Sequence, residues 1–212
     1  MINIENKALS CIGYGLYVLT AREGEKDNGC IVNVVAQVAD NPLRMLITVN
    51  KKNYTHDMIM NTRKFNVSAL TEETPMKVFS HFGFQSGRDV NKFQNCETEK
   101  RSQNGILYIP KFTNAYFSGE VIDTMDLGSH TLFIAEITEA KVLDDKPSLT
   151  YSFYHKNIKP APAPAKEAVS EKKVTRWVCK ICGYVYEGEN IPADFTCPWC
   201  KHGASDFEKQ EN

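Results

Sequence analysis

The chain has 212 residues, 42% of them hydrophobic, with a formal net charge of -1 and an isoelectric point near 6.5. That length supports one large core and a second small one, and the charge balance lacks the basic excess of a nucleic-acid surface. No apolar run approaches the ~18 residues of a membrane span, and the opening MINIENKALS lacks the basic and apolar regions of a secretory leader. A cytoplasmic protein with no membrane and no nucleic-acid partner is the expectation.

In chain order, CIGYGLYVLTAREG is rich in β-branched and aromatic residues and predicts a strand, followed by a polar turn, EKDNG, ending at Asn28-Gly29. GCIVNVVAQVAD and RMLITVN carry strand patterns. YTHDMIMNTRKF predicts a helix with Thr55 as its N-cap and Asp57 in its first turn. KFNVSAL returns to strand. TPMKVFSHF predicts a helix with Pro75 in first position behind the cap Thr74. AYFSGEVIDTM and HTLFIAEITEAKVL, joined by DLGS, predict a hairpin, and LTYSFYH a last strand. Many short strands with a few helices predict a mainly β domain, a closed or nearly closed barrel over residues 1–158.

The composition then breaks. NIKPAPAPAKEAVSEKK cannot build a core, and residues 159–173 predict an extended tether with a reach of about 45 Å at ~3.1 Å per residue. From Lys156 to Lys173 there are five lysines and two glutamates, a solvated basic spacer.

Residues 174–212 hold four of the seven cysteines. Cys11, Cys30 and Cys96 are scattered and read as small apolar residues. Cys179/Cys182 and Cys197/Cys200 are two C-x-x-C pairs. Each such loop aims two thiolates at one point, and two loops close a tetrahedron, the geometry of zinc or iron. So short a segment needs that staple to fold. Gly183 follows Cys182 where a positive φ is wanted, and Trp177, Tyr184, Tyr186, Phe195, Trp199 and Phe207 supply an aromatic surround. The larger domain shows no G-x-G-x-x-G and no G-x-x-x-x-G-K-[ST]. His56, His81, His130, His155 and His202 show no ligand spacing and read as structural or surface residues.

The run W-V-C-x-x-C-G-Y-V-Y, then C-P-W-C, then D-F, resembles the rubredoxin family over Thr175–Lys209. The resemblance implies one iron ion held by Cys179, Cys182, Cys197 and Cys200, carrying one electron. A zinc ribbon used for docking is the alternative. Fourteen residues separate the pairs, fewer than in free-standing rubredoxins, and Lys201 stands where the family often has glycine. Iron suits the charge arithmetic of a carrier: four thiolates sum to about -1 with ferric and about -2 with ferrous iron, whereas zinc has no redox step.

The stretch from Gly15 to Leu70, the loop HFGFQSGRDVNKF and the terminal LTYSFYHKNIKP together resemble the flavin reductase-like, FMN-binding split barrel, over roughly residues 6–158. The resemblance implies FMN. Gly29, Cys30, Ile31, Val32, Asn33 and Gln37 would run along its ring and ribityl chain. Asn50, Lys51, Lys52 and Thr55 would hold its phosphate at a helix N-terminus. Arg88 and Asp89 would form a loop wall, and Tyr154, His155 and Lys156 would close the site, from the same or another subunit. The lysine pair also reads as a solvated turn, and Arg88–Asp89 as a surface ion pair. The family implies a homodimer.

A split barrel fused to a rubredoxin tail resembles the high-molecular-weight rubredoxins. That likeness implies an oxidoreductase moving electrons from NADH or NADPH through FMN and iron to a flavodiiron protein or another redox acceptor. Two rival readings stay open: a flavin or ferric reductase serving another acceptor, and an FMN-binding protein with a zinc-ribbon docking module.

Overall fold

The computed structural model describes residues 5–9, 11–94, 99–159, 175–181, 183–198 and 202–210. Its contacts divide the chain into two compact units, Met1–Ile158 and Lys159–Asn212. No helix among the described residues is long and apolar enough to cross a membrane.

The first unit opens with a short helix, α1 (Asn6–Leu9), and is then mainly strand: β1 (Tyr17–Glu23), β2 (Lys26–Val32), β3 (Val35–Asp40) and β4 (Leu43–Asn50). Helix α2 (Tyr54–Thr62), β5 (Lys64–Leu70) and α3 (Met76–Gly83) follow. Two-residue strands β6 (Lys100–Arg101) and β7 (Leu107–Tyr108) precede the long pair β8 (Thr113–Asp126) and β9 (His130–Val142). Seven strands form one sheet in the order β2-β1-β5-β8-β9-β4-β3. Its two edges, β2 and β3, are consecutive in the chain, so the sheet curls until they meet at Asn33-Val34 without a ladder between them. This is a barrel split at one seam.

Alternation puts the core inside. Leu19 and Ala21 of β1, Met45, Ile47 and Val49 of β4, Phe65 and Val67 of β5, and Phe133 and Ala135 of β9 converge with Met58 and Ile59 of α2. Leu19, Ile47, Phe65 and Phe133 are fully buried, each worth about 1.5–3 kcal/mol of transfer free energy. Val18 points the other way, into a second cluster with Phe79 and Phe82 of α3, Leu149 and Tyr154. Several polar positions on that outer face are buried too, and three of them are tied to the chain that covers them. Thr20 donates to the Leu107 carbonyl at 2.5 Å, Asn66 to the Ile106 carbonyl at 2.9 Å, and Ser68 accepts from the Ile109 N–H at 3.0 Å.

Local details differ from the sequence reading in five places. The β1–β2 turn is Gly24-Glu25, and Asn28-Gly29 lies within β2, paired with Thr20 and Ala21. GCIVNVVAQVAD is two strands, broken at the seam. Thr55 is inside α2, whose N-cap is Asn53, because its hydroxyl faces β2. Pro75 is itself the N-cap of α3, while Thr74 bonds back to the Thr71 carbonyl at 2.7 Å. LTYSFYH is helical: α4 (Tyr151–Phe153) runs into a π turn at Tyr154–Ile158. Thr150 caps it by accepting from the Phe153 N–H at 3.1 Å. Tyr154 then packs on Phe79 with ring centres 4.5 Å apart.

The second unit has a three-stranded sheet, β11 (Val185–Glu187), β10 (Arg176–Cys179) and β12 (Phe207–Gln210), in the order β11-β10-β12. Among its described residues the buried ones are Cys179, Cys197 and Phe207, with Trp177, Tyr184, Tyr186, Ile191 and Phe195 packed around them.

Candidate functional site

The barrel's seam supplies the first candidate site. The Val34 carbonyl accepts from the Thr48 N–H at 3.2 Å, which lays Asn33 and Val34 beside the end of β4. Beyond Asn50 the chain turns tightly. The Asn50 carbonyl accepts from the Asn53 N–H at 3.0 Å, and its side-chain oxygen accepts from the Lys52 N–H at 2.9 Å. Helix α2 then starts without a side-chain cap on its leading N–H groups. Uncapped N–H groups, the positive end of a helix dipole and two adjacent lysines suit an anion. Lys51 is drawn to Asp126 at 2.5 Å, and that ammonium holds the Asp126 carboxyl below the usual range. The pair is exposed, so it yields easily to a stronger anion.

Thr55, the second residue of α2, ties this helix to β2. It accepts from the Asn28 amide at 2.9 Å and hydrogen-bonds the Cys30 thiol. Burial dominates at Cys30 and pushes its thiol up. The structure therefore brings Gly29, Cys30, Ile31, Val32 and Asn33 to the same corner as Asn50, Lys51, Lys52 and Thr55.

The loop after α3 reaches the corner through Arg88. Its guanidinium meets the Asp57 carboxylate at 2.5 Å and lies 5.0 Å from the Tyr54 ring centre; Lys26 lies 4.4 Å from the same ring. Asp57 also meets His56 Nδ1 at 3.0 Å, while His56 Nε2 meets Thr131 at 2.8 Å. The His56 bond, then Arg88, hold the Asp57 carboxyl below its ordinary value. Asp89 is exposed beside Arg88. In the sequence Asn28 and Lys26 read only as part of a polar turn, not as site residues; strand pairing draws both in.

Two expected groups lie elsewhere. Gln37 pairs opposite Met45, down β3 from the seam, and lines a cavity of about 280 Å³ with Tyr17, Arg44 and Phe117. His155 and Lys156 are exposed and line a groove of about 930 Å³ with Tyr14, Tyr17 and Tyr151. Tyr154 is buried against α3.

The second candidate site is built from repeated turns. The Cys179 N–H donates to the Tyr184 carbonyl at 2.8 Å, and the Cys197 N–H donates to the His202 carbonyl at 2.8 Å. Each bond spans the same five positions, beginning at the first cysteine of a C-x-x-C pair. Gly183, at φ 74, adopts the left-handed backbone that lets the first knuckle turn, and its N–H donates to the Cys179 carbonyl at 2.8 Å. Cys179 and Cys197 are 1% and 0% exposed, in one cluster. Cys182 and Cys200 lie outside the described residues. Two thiols withdrawn from water at the heads of matching knuckles fit a thiolate-bound ion.

Residues 9–161 match the flavin reductase like domain family, and residues 177–208 match the rubrerythrin, rubredoxin-like domain. The chain is 34% identical to the high molecular weight rubredoxin of Moorella thermoacetica, an alignment covering 97% of this chain and 100% of that protein. It is 35% identical to the ferric-chelate reductase (NAD(P)H) of Archaeoglobus fulgidus over 68% of this chain and 85% of that one. Among solved structures, an FMN-binding protein from Thermus thermophilus superposes with a TM-score of 0.64 at 19% identity, covering 80% of this chain and 97% of that one. An NADH:FAD oxidoreductase from Streptomyces globisporus gives 0.63 at 20% identity, covering 72% and 94%.

Proposed function

This chain belongs to the flavin reductase-like family, carries a rubredoxin-like domain behind it and works by flavin-based electron transfer, and from that premise we propose a two-site relay. Electrons enter from NADH or NADPH at FMN on the barrel, pass to one iron ion on the tail, and leave to a partner such as a flavodiiron protein. The observation that carries the reading is the pairing of an anion-ready, uncapped helix start at the seam with twin cysteine knuckles in one chain. The full-length likeness to a high molecular weight rubredoxin supports that order of parts.

A bound flavin supplies the exchange of a two-electron hydride for single electrons, and iron held by four thiolates supplies a one-electron carrier. The protein's share is binding and orientation. Asn50, Lys51, Lys52 and the first turn of α2 hold the phosphate. Gly29, Cys30, Ile31, Val32 and Asn33 offer a backbone edge to the ring and ribityl chain, because β2 ends its sheet and has unpaired groups to offer. Arg88 and Asp89 wall one side. Gln37, Tyr154, His155 and Lys156 reach the flavin only if a second copy completes the site, as in a homodimer. Cys179, Cys182, Cys197 and Cys200 hold the iron, and their knuckle N–H groups help carry its negative charge. The tether keeps the two sites at high mutual concentration.

A second reading, a ferric or flavin reductase serving another acceptor, is favoured by the likeness to a ferric-chelate reductase, which covers the barrel alone. Metal and flavin analysis of the purified chain, with an anaerobic visible spectrum, tests the relay. One iron and one FMN per chain, with ferric-thiolate absorption, are expected. Zinc in the tail would overturn it. So would a Cys182→Ser chain that still feeds the partner from NADH at the parent rate.

A further inference from the structure

Lys92 sits where a lysine is costly. It is 3% exposed, between β2, the end of α3 and Phe93. Its ammonium donates to the Gly29 carbonyl at 2.8 Å and to the Phe82 carbonyl at 2.9 Å. Its own carbonyl accepts from His81 Nε2 at 2.6 Å. Burial pushes its pKa down. An apolar residue of similar volume would fill this site without the cost of stripping water from a charge. The charge is therefore kept for what it holds.

It holds two backbone ends that need a donor. Phe82 is in the last turn of α3, where carbonyls lack helical partners and the dipole favours a cation. Gly29 is on β2, one edge of the split sheet, where backbone carbonyls lack a neighbouring strand. The two meet closely: a Cβ on Gly29 would stand 3.2 Å from the Phe82 ring and 3.2 Å from the Leu19 carbonyl. The bare glycine lets the helix end sit this close, so that one ammonium bridges both. Lys92 is also the base of the loop whose tip, Arg88, reaches Asp57 on α2.

We propose that Lys92 is a positioning residue for the flavin: its ammonium fixes the β2 edge at the seam and anchors the loop that carries Arg88. The inference rests on the flavin reading above. The clamp sets the line of Gly29 to Asn33 relative to α2, so the ring meets a preformed edge rather than ordering it on binding. Preorganisation of this kind shows as affinity and as a fixed ring environment, not as fold stability alone.

The test uses the full chain freed of flavin and retitrated with FMN, followed by flavin fluorescence and by visible circular dichroism of the bound ring. Lys92→Met keeps the volume and removes the clamp; Lys92→Arg keeps a charge able to bridge two carbonyls. Expected are a 10- to 100-fold weaker Kd and an altered visible dichroism in Lys92→Met at saturating FMN, with Lys92→Arg recovering most of both. If Lys92→Met binds within twofold of the parent with an unchanged dichroism, the inference falls and the flavin reading stands. Equal losses in Lys92→Met and Lys92→Arg, with parent dichroism at saturation, would also overturn it, since they reduce Lys92 to packing. If Lys92→Met does not fold, Lys92→Arg against the parent decides: a parental Kd and dichroism support the clamp, and a weakened pair overturns it. A parent chain that takes no FMN would instead sink the flavin reading itself.

Discussion

The barrel and the tail reach order by different routes. The barrel buries Leu19, Ile47, Phe65, Phe133 and their neighbours from every layer of a seven-stranded sheet. Its candidate site lies at the seam, on the rim of that core, and shares only Cys30 and Val32 with it. Among the tail's described residues the buried ones are Cys179, Cys197 and Phe207, and two of these are proposed metal ligands. There the site and the core are one object. The barrel has a core to hold its site without a cofactor; on the proposed reading the tail's core depends on its ion.

The largest effect expected from that contrast is metal removal. Chelation, or Cys179→Ser, should unfold the tail, since structural thiolate sites supply on the order of 10 kcal/mol of folding free energy. The barrel's melting transition should not move. Heteronuclear NMR checks this: persistent dispersed tail amides in metal-free protein would break the contrast. Next is the converse. Phe133→Ala should cost the barrel about 3–5 kcal/mol in denaturant melts and leave the tail's visible spectrum unchanged.

Smaller, and aimed at the seam, is Lys52→Ala. It should weaken FMN binding about 5- to 10-fold, the loss of roughly one charge-assisted contact. Riboflavin, which lacks the phosphate, should bind the variant and the parent alike by fluorescence titration. A parallel loss of riboflavin would move the phosphate away from this turn. The smallest effect concerns the β8–β9 ladder. Glu139 accepts from the Tyr116 hydroxyl at 2.7 Å and the Gln103 N–H at 2.9 Å, and meets Lys141 at 2.7 Å. The Lys141 contact leads in lowering its pKa from 4.5 to about 2. A lowered carboxyl stabilises the fold above its unfolded pKa, and that stability drains as pH falls through the folded one. Barrel stability should therefore fall between pH 4.5 and about 2, and Glu139→Gln should flatten that slope.

Strand existence was readable wherever alternation and burial coincide, as in Met45, Ile47 and Val49 or Phe65 and Val67. The aromatic run LTYSFYH misled because β-formers fill it. Its helical signal was the spacing of Tyr151, Tyr154, His155 and Ile158 behind the cap Thr150. Asn28-Gly29 has the composition of a turn, yet it lies within β2, where the glycine faces the close-packed end of α3. The two C-x-x-C pairs stood out by spacing alone, and of the proposed ligand set the structure describes Cys179 and Cys197, buried in one cluster. The seam was legible only in part. Asn28 meets Thr55 across 27 positions and Lys92 meets Gly29 across 63. Such partners follow from the sheet's register and no local pattern carries them.

The most direct test of the relay mixes the oxidised full chain with NADH under anaerobic conditions and follows the flavin and ferric-thiolate absorptions together. The account predicts that both bleach, the iron signal following the flavin at a rate independent of protein concentration, as transfer along one tethered chain requires. A ferric-thiolate signal that persists after the flavin is reduced, or that decays in proportion to protein concentration, would contradict it.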